Sequence, residues 1–282
     1  MTQHTQLLVN ADDFGRHLLI NQAVCQSVET GILRSATLMP GGKAFDDAVH
    51  IAKTHPALGV GIHFTLVNGF PLCPPEDIPS LVTKDGVFFD DYTIFIKQYA
   101  LGHISLDDVR RELGAQAEKF KQTGLTPTHF DSHQHMHVLP GVIDIALSIA
   151  KDAGITKLRI PRTPLAAGGH TSLGQFIGRL GLSTLASLAA FKAKRQGFHM
   201  PNHFTGIVAG EAVQEKDMLH VIQHIQPGTT EVMIHPGTDN TVLQKDCAWV
   251  HDFEAELQAL VSPLVQQALQ KQDIHIVNYT TI

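Results

Sequence analysis

Basic residues are too few in this chain to favour a polyanionic partner. Lysine and arginine number 21 against 27 aspartates and glutamates, a net charge of −6 with histidine neutral. Affinity for nucleic acid rests on an excess of basic groups, so nucleic acid is not an expected partner. Cysteine is as sparse. Cys25, Cys73 and Cys247 are odd in number and too scattered for a CxxC metal motif, which fits a reduced compartment better than a disulfide framework. Met1-Thr2-Gln3-His4-Thr5-Gln6 holds neither a basic region nor an apolar core, so no signal peptide is visible and a cytoplasmic location is expected. No run approaches the roughly 20 apolar residues of a transmembrane helix. The GxGxxG and GxxxxGKS/T loops of nucleotide binders and the GxSxG elbow of serine hydrolases are also missing. Neither an internal repeat nor a low-complexity segment interrupts the chain.

What is present is an ordinary globular composition: 282 residues, 43% apolar and 17% charged. That length allows one large domain or two modest ones, and the reading adopted is a single domain over 1–282. Strand-like and helix-like patterns alternate throughout. Strands are expected at 6–10, 35–39, 59–64, 128–131, 157–161, 205–208, 231–234 and 274–278, most of them apolar on both faces as in buried parallel strands. Leu106, Val109, Leu113, Ala117 and Phe120 recur at helical spacing between Ser105 and Gly124, and further helices are expected before Gly31 and between Pro140 and Gly154. Repeated β-then-α units suggest a parallel barrel or a doubly wound sheet. Two stretches break the rhythm. Residues 71–91, rich in Pro, Asp and Gly, predict a long loop over one face. Residues 166–199 carry Leu173, Phe176, Ile177, Leu180, Leu182, Leu185, Leu188 and Phe191 before Lys192, Lys194 and Arg195. They predict a helical insertion packed on the barrel or, more sharply, a surface meeting a lipid-linked substrate or a membrane edge.

The polar groups at strand ends carry the chemistry. Leu7-Leu8-Val9 runs into Asn10-Ala11-Asp12-Asp13-Phe14-Gly15, His63 closes Gly59-Val60-Gly61-Ile62, and Asp131-Ser132-His133-Gln134-His135-Met136-His137 follows a fourth strand. Carboxylates and imidazoles at the ends of separate strands can form a catalytic metal site: few protein ligands, an open position for water, and a spare carboxylate as base. Gathered at the C-terminal ends of several strands, they favour a barrel. Successive strand residues point to opposite sides, so Asp12 and Asp13 share a cleft only if the chain turns there; one then binds metal and the other takes a proton. In the His cluster, a continuing strand would put Asp131, His133, His135 and His137 on one face. A helical turn would pair His133 with His137. Asp131 is a natural orienter of an imidazole. His235, ahead of Pro236-Gly237, suits a general acid. Arg159 sits in a strand-like segment and needs a buried partner, Asp12 or Asp131. Imidazole and carboxylate donors together suit zinc best, with magnesium, manganese, iron and cobalt left open.

Together these motifs resemble the YdjC-like (ChbG/HpnK) carbohydrate deacetylases, the match extending over Asn10–Gly15, Gly61–Phe64, Thr128–His137, Leu158–Ile160 and Glu231–Gly237. The resemblance implies an irregular (β/α) barrel of the polysaccharide-deacetylase type and removal of acetyl from an N-acetylated sugar with one divalent metal ion, zinc or magnesium. It implies Asp13, His63 and His133 as metal ligands, Asp12 as base and His235 as acid; Asp131, His137 and Arg159 are expected around the substrate or behind the ligands. In related NodB-type deacetylases both histidines of an H-x3-H pair bind metal, a spacing that His133 and His137 keep, so the third ligand stays open. The middle section resembles the hopanoid-associated HpnK branch through Pro74–Leu81, the Leu/Gly-rich insertion and Asn202–Gly206, which implies an N-acetylglucosaminyl lipid rather than a soluble oligosaccharide. Two other readings stay open: hydrolysis of another amide or a phosphoester, and a non-catalytic sugar- or metal-binding barrel. A homodimer is compatible with the sequence, which does not set the oligomeric state.

Overall fold

The computed structural model describes residues 5–162, 173–206 and 212–282, the backbone alone for 173–179. In chain order the elements are β1 (Thr5–Phe14), α1 (Leu18–Thr30), β2 (Ser35–Leu38), α2 (Phe45–Thr54), β3 (Gly59–Phe64), α3 (Tyr92–Ala100), α4 (Leu106–Gln122), β4 (Phe130–Ser132), α5 (Val142–Asp152), α6 (Leu173–Arg195), β5 (His203–Thr205), α7 (Glu215–Gln223), β6 (Gly228–Ile234), α8 (Asn240–Cys247), α9 (Phe253–Val261), α10 (Pro263–Lys271) and β7 (His275–Val277). The strands are parallel, in the order β4-β3-β2-β1-β6-β5. β7 pairs with the first half of β1, at Gln6–Leu8, and β2 with its second half, from Asn10. Leu7, Leu8, Val9 and Ala11 are wholly buried on β1, which is why this strand reads as apolar on both faces.

The segment expected as a fifth strand at 157–161 makes only single bridges, Phe130 with Leu158 and Lys157 with His199. Those bridges carry the curve from β4 round toward β5, so the barrel is irregular on that side. The strand expected at 205–208 lies earlier, at His203–Thr205; positions 207 and 208 lie outside the described residues.

Local signals explain the helices. Ser105 Oγ accepts from the Asp108 amide at the start of α4, Asp107 and Asp108 occupy its first turn and Lys119 and Lys121 its last, complementing the helix dipole. Val109, Leu113 and Phe120 face the core. Glu112 and Gln116, equally buried, reach off the same face to hold the loops after β3. Glu112 accepts from the amides of Leu72 and Cys73, and Gln116 bonds both the amide and the carbonyl of Thr65. The loop expected at 71–91 contains one helical turn at Pro75–Asp77 and a Val82–Phe88 bridge, with Ile78, Leu81 and Phe88 buried beneath it. In the predicted insertion, α6 seats Ala186, Ala189, Ala190 and Ala193 inward and leaves Leu188 and Phe191 exposed. Its expected beginning at 166–172 lies outside the described residues. Among the described residues no helix is long and apolar enough to cross a membrane.

Candidate active site

A bulge in β1 brings the two adjacent carboxylates together. Ala11 pairs with Ala36 and Phe14 with Leu38, so β1 spends one residue more than β2 across this interval, and the extra length falls at Asp12-Asp13. Asp13 takes φ 60°, the left-handed region that aspartate tolerates better than most residues. The strand's strict alternation is broken there, and both carboxylates enter one cleft.

β3 delivers His63 and the end of β4 delivers Asp131 and His133. Asp13 Oδ1 lies 3.2 Å from His63 Nε2 and 2.8 Å from His133 Nδ1. These three atoms are close enough to share one metal ion. Asp13 Oδ1 and His63 Nε2 are buried yet have no aligned hydrogen-bond partner, which a shared cation would satisfy. One carboxylate and two imidazoles match the donor set of an open catalytic site. On its other edge His63 Nδ1 meets Asp131 Oδ1 at 2.6 Å, an arrangement that directs Nε2 as the ligand atom. Burial by itself would lower the basicity of His63, but Asp131, Asp13 and Asp12 outweigh it and push it up to about 10. Burial likewise opposes ionisation of Asp13, whereas His133, His63 and Arg16 hold its carboxyl well below the ordinary range.

Neither geometry expected for the His cluster is found. The chain turns sharply after Ser132, with Gln134 and His135 at φ 51° and 60°. His133 is thrown toward Asp13 and His137 behind the strand. His137 Nδ1 meets Ser132 Oγ at 2.7 Å and its Nε2 meets the Arg159 carbonyl at 3.0 Å. Both ring nitrogens are therefore engaged, and the H-x3-H pairing with His133 does not form. His135 lies edge-on to Phe204, in no metal-sized group with Asp13.

Arg159 is fully buried and pairs with both expected partners. Its two terminal nitrogens hold Asp12 at 2.6 and 2.7 Å, one of them also meets Asp131 at 2.7 Å, and Nε reaches Glu231 at 2.8 Å. Asp12 accepts further from Asn10 Nδ2 at 2.9 Å. His235, at the end of β6, is 13% exposed in its side chain, with Nε2 4.0 Å from Asp12 Oδ2. Its backbone amide donates to Glu256, and Trp249 and His251 wall its ring at 5.1 and 5.6 Å.

Several residues about the site are additional to those expected. Arg16 NH1 lies 3.4 Å from His133 Nε2 and 3.7 Å from Asp13 Oδ2, clamped by the carbonyl and side chain of Asn68. Beyond Arg16 opens a cavity of about 140 Å³ lined by Lys43, Asn68, Phe70, Asp90 and Asp246. Glu231 is a carboxylate inside an apolar strand, the same signal that singled out Arg159. Trp249, His251 and Arg16 carry no comparable signal, because each falls in an ordinary loop sequence.

The whole-chain comparisons agree with one another. The model of the YdjC-like protein family matches residues 6–271. A carbohydrate deacetylase of Geobacillus stearothermophilus is 31% identical over 274 residues, covering 96% of each chain. One from Brevibacillus brevis is 29% identical over 279 residues, 98% of this chain and 99% of that one. A solved structure from Enterococcus faecalis, named for a suspected cleavage of cellobiose phosphate, has the same fold: TM-score 0.75 at 24% identity, covering 99% of this chain and 98% of the other. With the ends of β1, β3, β4 and β6 converging on one cleft and a family match spanning nearly its whole length, the chain belongs to the YdjC-like family.

Proposed function

We propose that this protein is a metal-dependent N-deacetylase of an N-acetylated sugar. The observation that carries the reading is the convergence of Asp13 Oδ1, His63 Nε2 and His133 Nδ1, two of them buried without a partner, beside a separate carboxylate and a part-exposed imidazole. A binder needs the first three groups but has no use for Asp12 opposite His235. The relatives named carbohydrate deacetylases support the choice of substrate.

A divalent ion held by Asp13, His63 and His133 would acidify a water and polarise the acetyl carbonyl, zinc suiting the donors best. Asp12 takes the proton of the attacking water. Arg159 fixes the plane of this carboxylate, the bidentate grip being the strong form of such a contact. His235 protonates the departing amine, which is too basic to leave as an anion. Arg16, next to His133, would add positive charge that favours the negative charge developing on the carbonyl oxygen. The cavity past Arg16 supplies an exposed aromatic face at Phe70 with polar groups around it, the mixture that sugars bind.

The branch-level resemblance favours a glycolipid, and one surface supports it. Leu180, Leu188 and Phe191 are exposed on α6, next to Lys194 and Arg195, and a cavity of about 590 Å³ runs between α6 and the residues leading into α5. An apolar face with cations beside it suits a lipid tail or an anionic bilayer surface. Acetate release from N,N′-diacetylchitobiose and from an N-acetylglucosaminyl lipid in detergent, with phosphoesters as controls, tests both levels. Release from either sugar supports the deacetylase, and the preferred one decides the branch. Phosphate release without acetate would replace the reading with another hydrolase.

A further inference from the structure

Arg159 has only its neighbours to hold it in a dry interior, and one of those is anchored from the far end of the chain. Glu231 accepts from Arg159 Nε with one oxygen and from Tyr279 Oη, at 2.7 Å, with the other. Arg159, Glu231 and Tyr279 are all fully buried. The Tyr279 ring stacks on His129 at 3.5 Å between centroids and 8° between planes. Lys157 Nζ holds the carbonyls of Tyr279 and Thr280. Gly61 makes room for this stack: a Cβ there would stand 2.5 Å from the His129 ring. The residues after β7 are thus built into the floor of the cleft, beyond the 6–271 that the family model matches.

Resting on the deacetylase reading above, we propose that Tyr279 is a positioning residue: through Glu231 it fixes the Arg159 guanidinium, and through Arg159 the Asp12 carboxylate. Three carboxylates, Asp12, Asp131 and Glu231, share this one guanidinium. Each holds one edge of a rigid planar group, so the position of any one is set by the other two. Glu231 has two listeners, Arg159 on one oxygen and Tyr279 on the other. Without the phenol, that second oxygen is a buried acceptor with nothing to accept from, an unfavourable state for a carboxylate. Its escape is to rotate, and rotation takes Arg159 Nε with it. Asp12 is gripped by the opposite edge of the same plane, so it tilts as Arg159 tilts. A displacement of about 1 Å at a reacting group is enough to cost on the order of 10²-fold in rate.

Tyr279→Phe tests this, because it keeps the ring, the His129 stack and the Lys157 contacts and removes only Oη. Expected are a fall in kcat of about 10-fold with KM and metal content unchanged, and no further fall when the substitution is made in Asp12→Asn. A separate readout needs no substrate: exchange of the Arg159 Nε proton, followed by ¹⁵N NMR, is expected to speed at least 10-fold. Wild-type kcat with unchanged exchange overturns the proposal, as does a full-size fall in kcat on the Asp12→Asn background. If the wild-type protein releases no acetate from any sugar, the deacetylase reading fails instead, and the exchange rate alone decides the coupling.

Discussion

Asp12 and Asp13 are neighbours in sequence and neighbours at the site, yet their surroundings set them to different tasks. Asp13 faces two imidazoles and has an oxygen that no N–H reaches in line; Asp12 faces a guanidinium on one side and His235 on the other. Asp12→Asn is expected to keep its metal and lose at least ~10²-fold in kcat, the scale of a general base; metal analysis and steady-state rates check both halves. Glu231 is different again. Burial pushes its carboxyl up from 4.5 to about 7, although Arg159 and Tyr279 both pull the other way. A raised carboxyl pKa favours folding while the proton is on. The resulting penalty builds from about pH 4.5, where the unfolded chain ionises, to about pH 7, where the folded one does. Glu231→Gln lacks that penalty. Its melting temperature relative to wild type should therefore rise between pH 5 and pH 8, which calorimetry at the two pH values measures. Most of these residues were legible as polar groups interrupting apolar strands. Tyr279 was not, since an aromatic residue near a terminus carries no mark of what it touches.

At the scale of elements, two departures from regular structure shape the cleft: the bulge ending β1 and the left-handed turn after β4. Alternation along a strand forecasts one face or the other, and it fails at both places because the backbone leaves the β region at Asp13, Gln134 and His135. The sequence showed which residues gather and not how they turn, so His137 could be read as a ligand or as a group behind the ligands. It is held away by Ser132, whose Oγ meets His137 Nδ1 and accepts from the His137 amide at 2.9 Å. Ser132→Ala should loosen this turn, costing about 1–3 kcal/mol for the buried groups left unpaired and weakening metal affinity through His133. Denaturant unfolding and metal titration measure the two effects, and an unchanged affinity would separate His133 from the turn. The stretch at 157–161 shows the opposite limit. Its residues look like a strand, but Arg159 must face the charges of β1, β4 and β6, and a segment bent to do so pairs only at single bridges.

For the molecule as a whole, parallel order is what collects the ends of β1, β3, β4 and β6 on one rim, and this was legible from the alternating patterns. The single bridges that carry the curve on from β4 and the return of residues 275–282 beneath the site were not, because both depend on contacts between distant parts of the chain. Acid stability follows from the same burial. Burial holds His129 down to about 3 and His137 to about 4, so both stay neutral in the folded protein while the unfolded chain takes up protons near pH 6.5. Their contribution is present above that pH and lost as it falls toward the folded values. Stability should thus decline from about pH 6.5 downward, before most carboxylates titrate; a flat melting temperature between pH 6.5 and 4.5 would contradict this.

Acetate release titrated against bound metal tests the central claim most directly. The purified protein, stripped with chelator and given back zinc in fractions of an equivalent, should release acetate from an N-acetylated sugar in proportion to metal bound, reaching its maximum at one equivalent. Asp13→Asn and His63→Ala should bind weakly and stay inactive over the same range. Release that is undiminished after stripping, or none at a full equivalent on any acetylated sugar, would contradict the account.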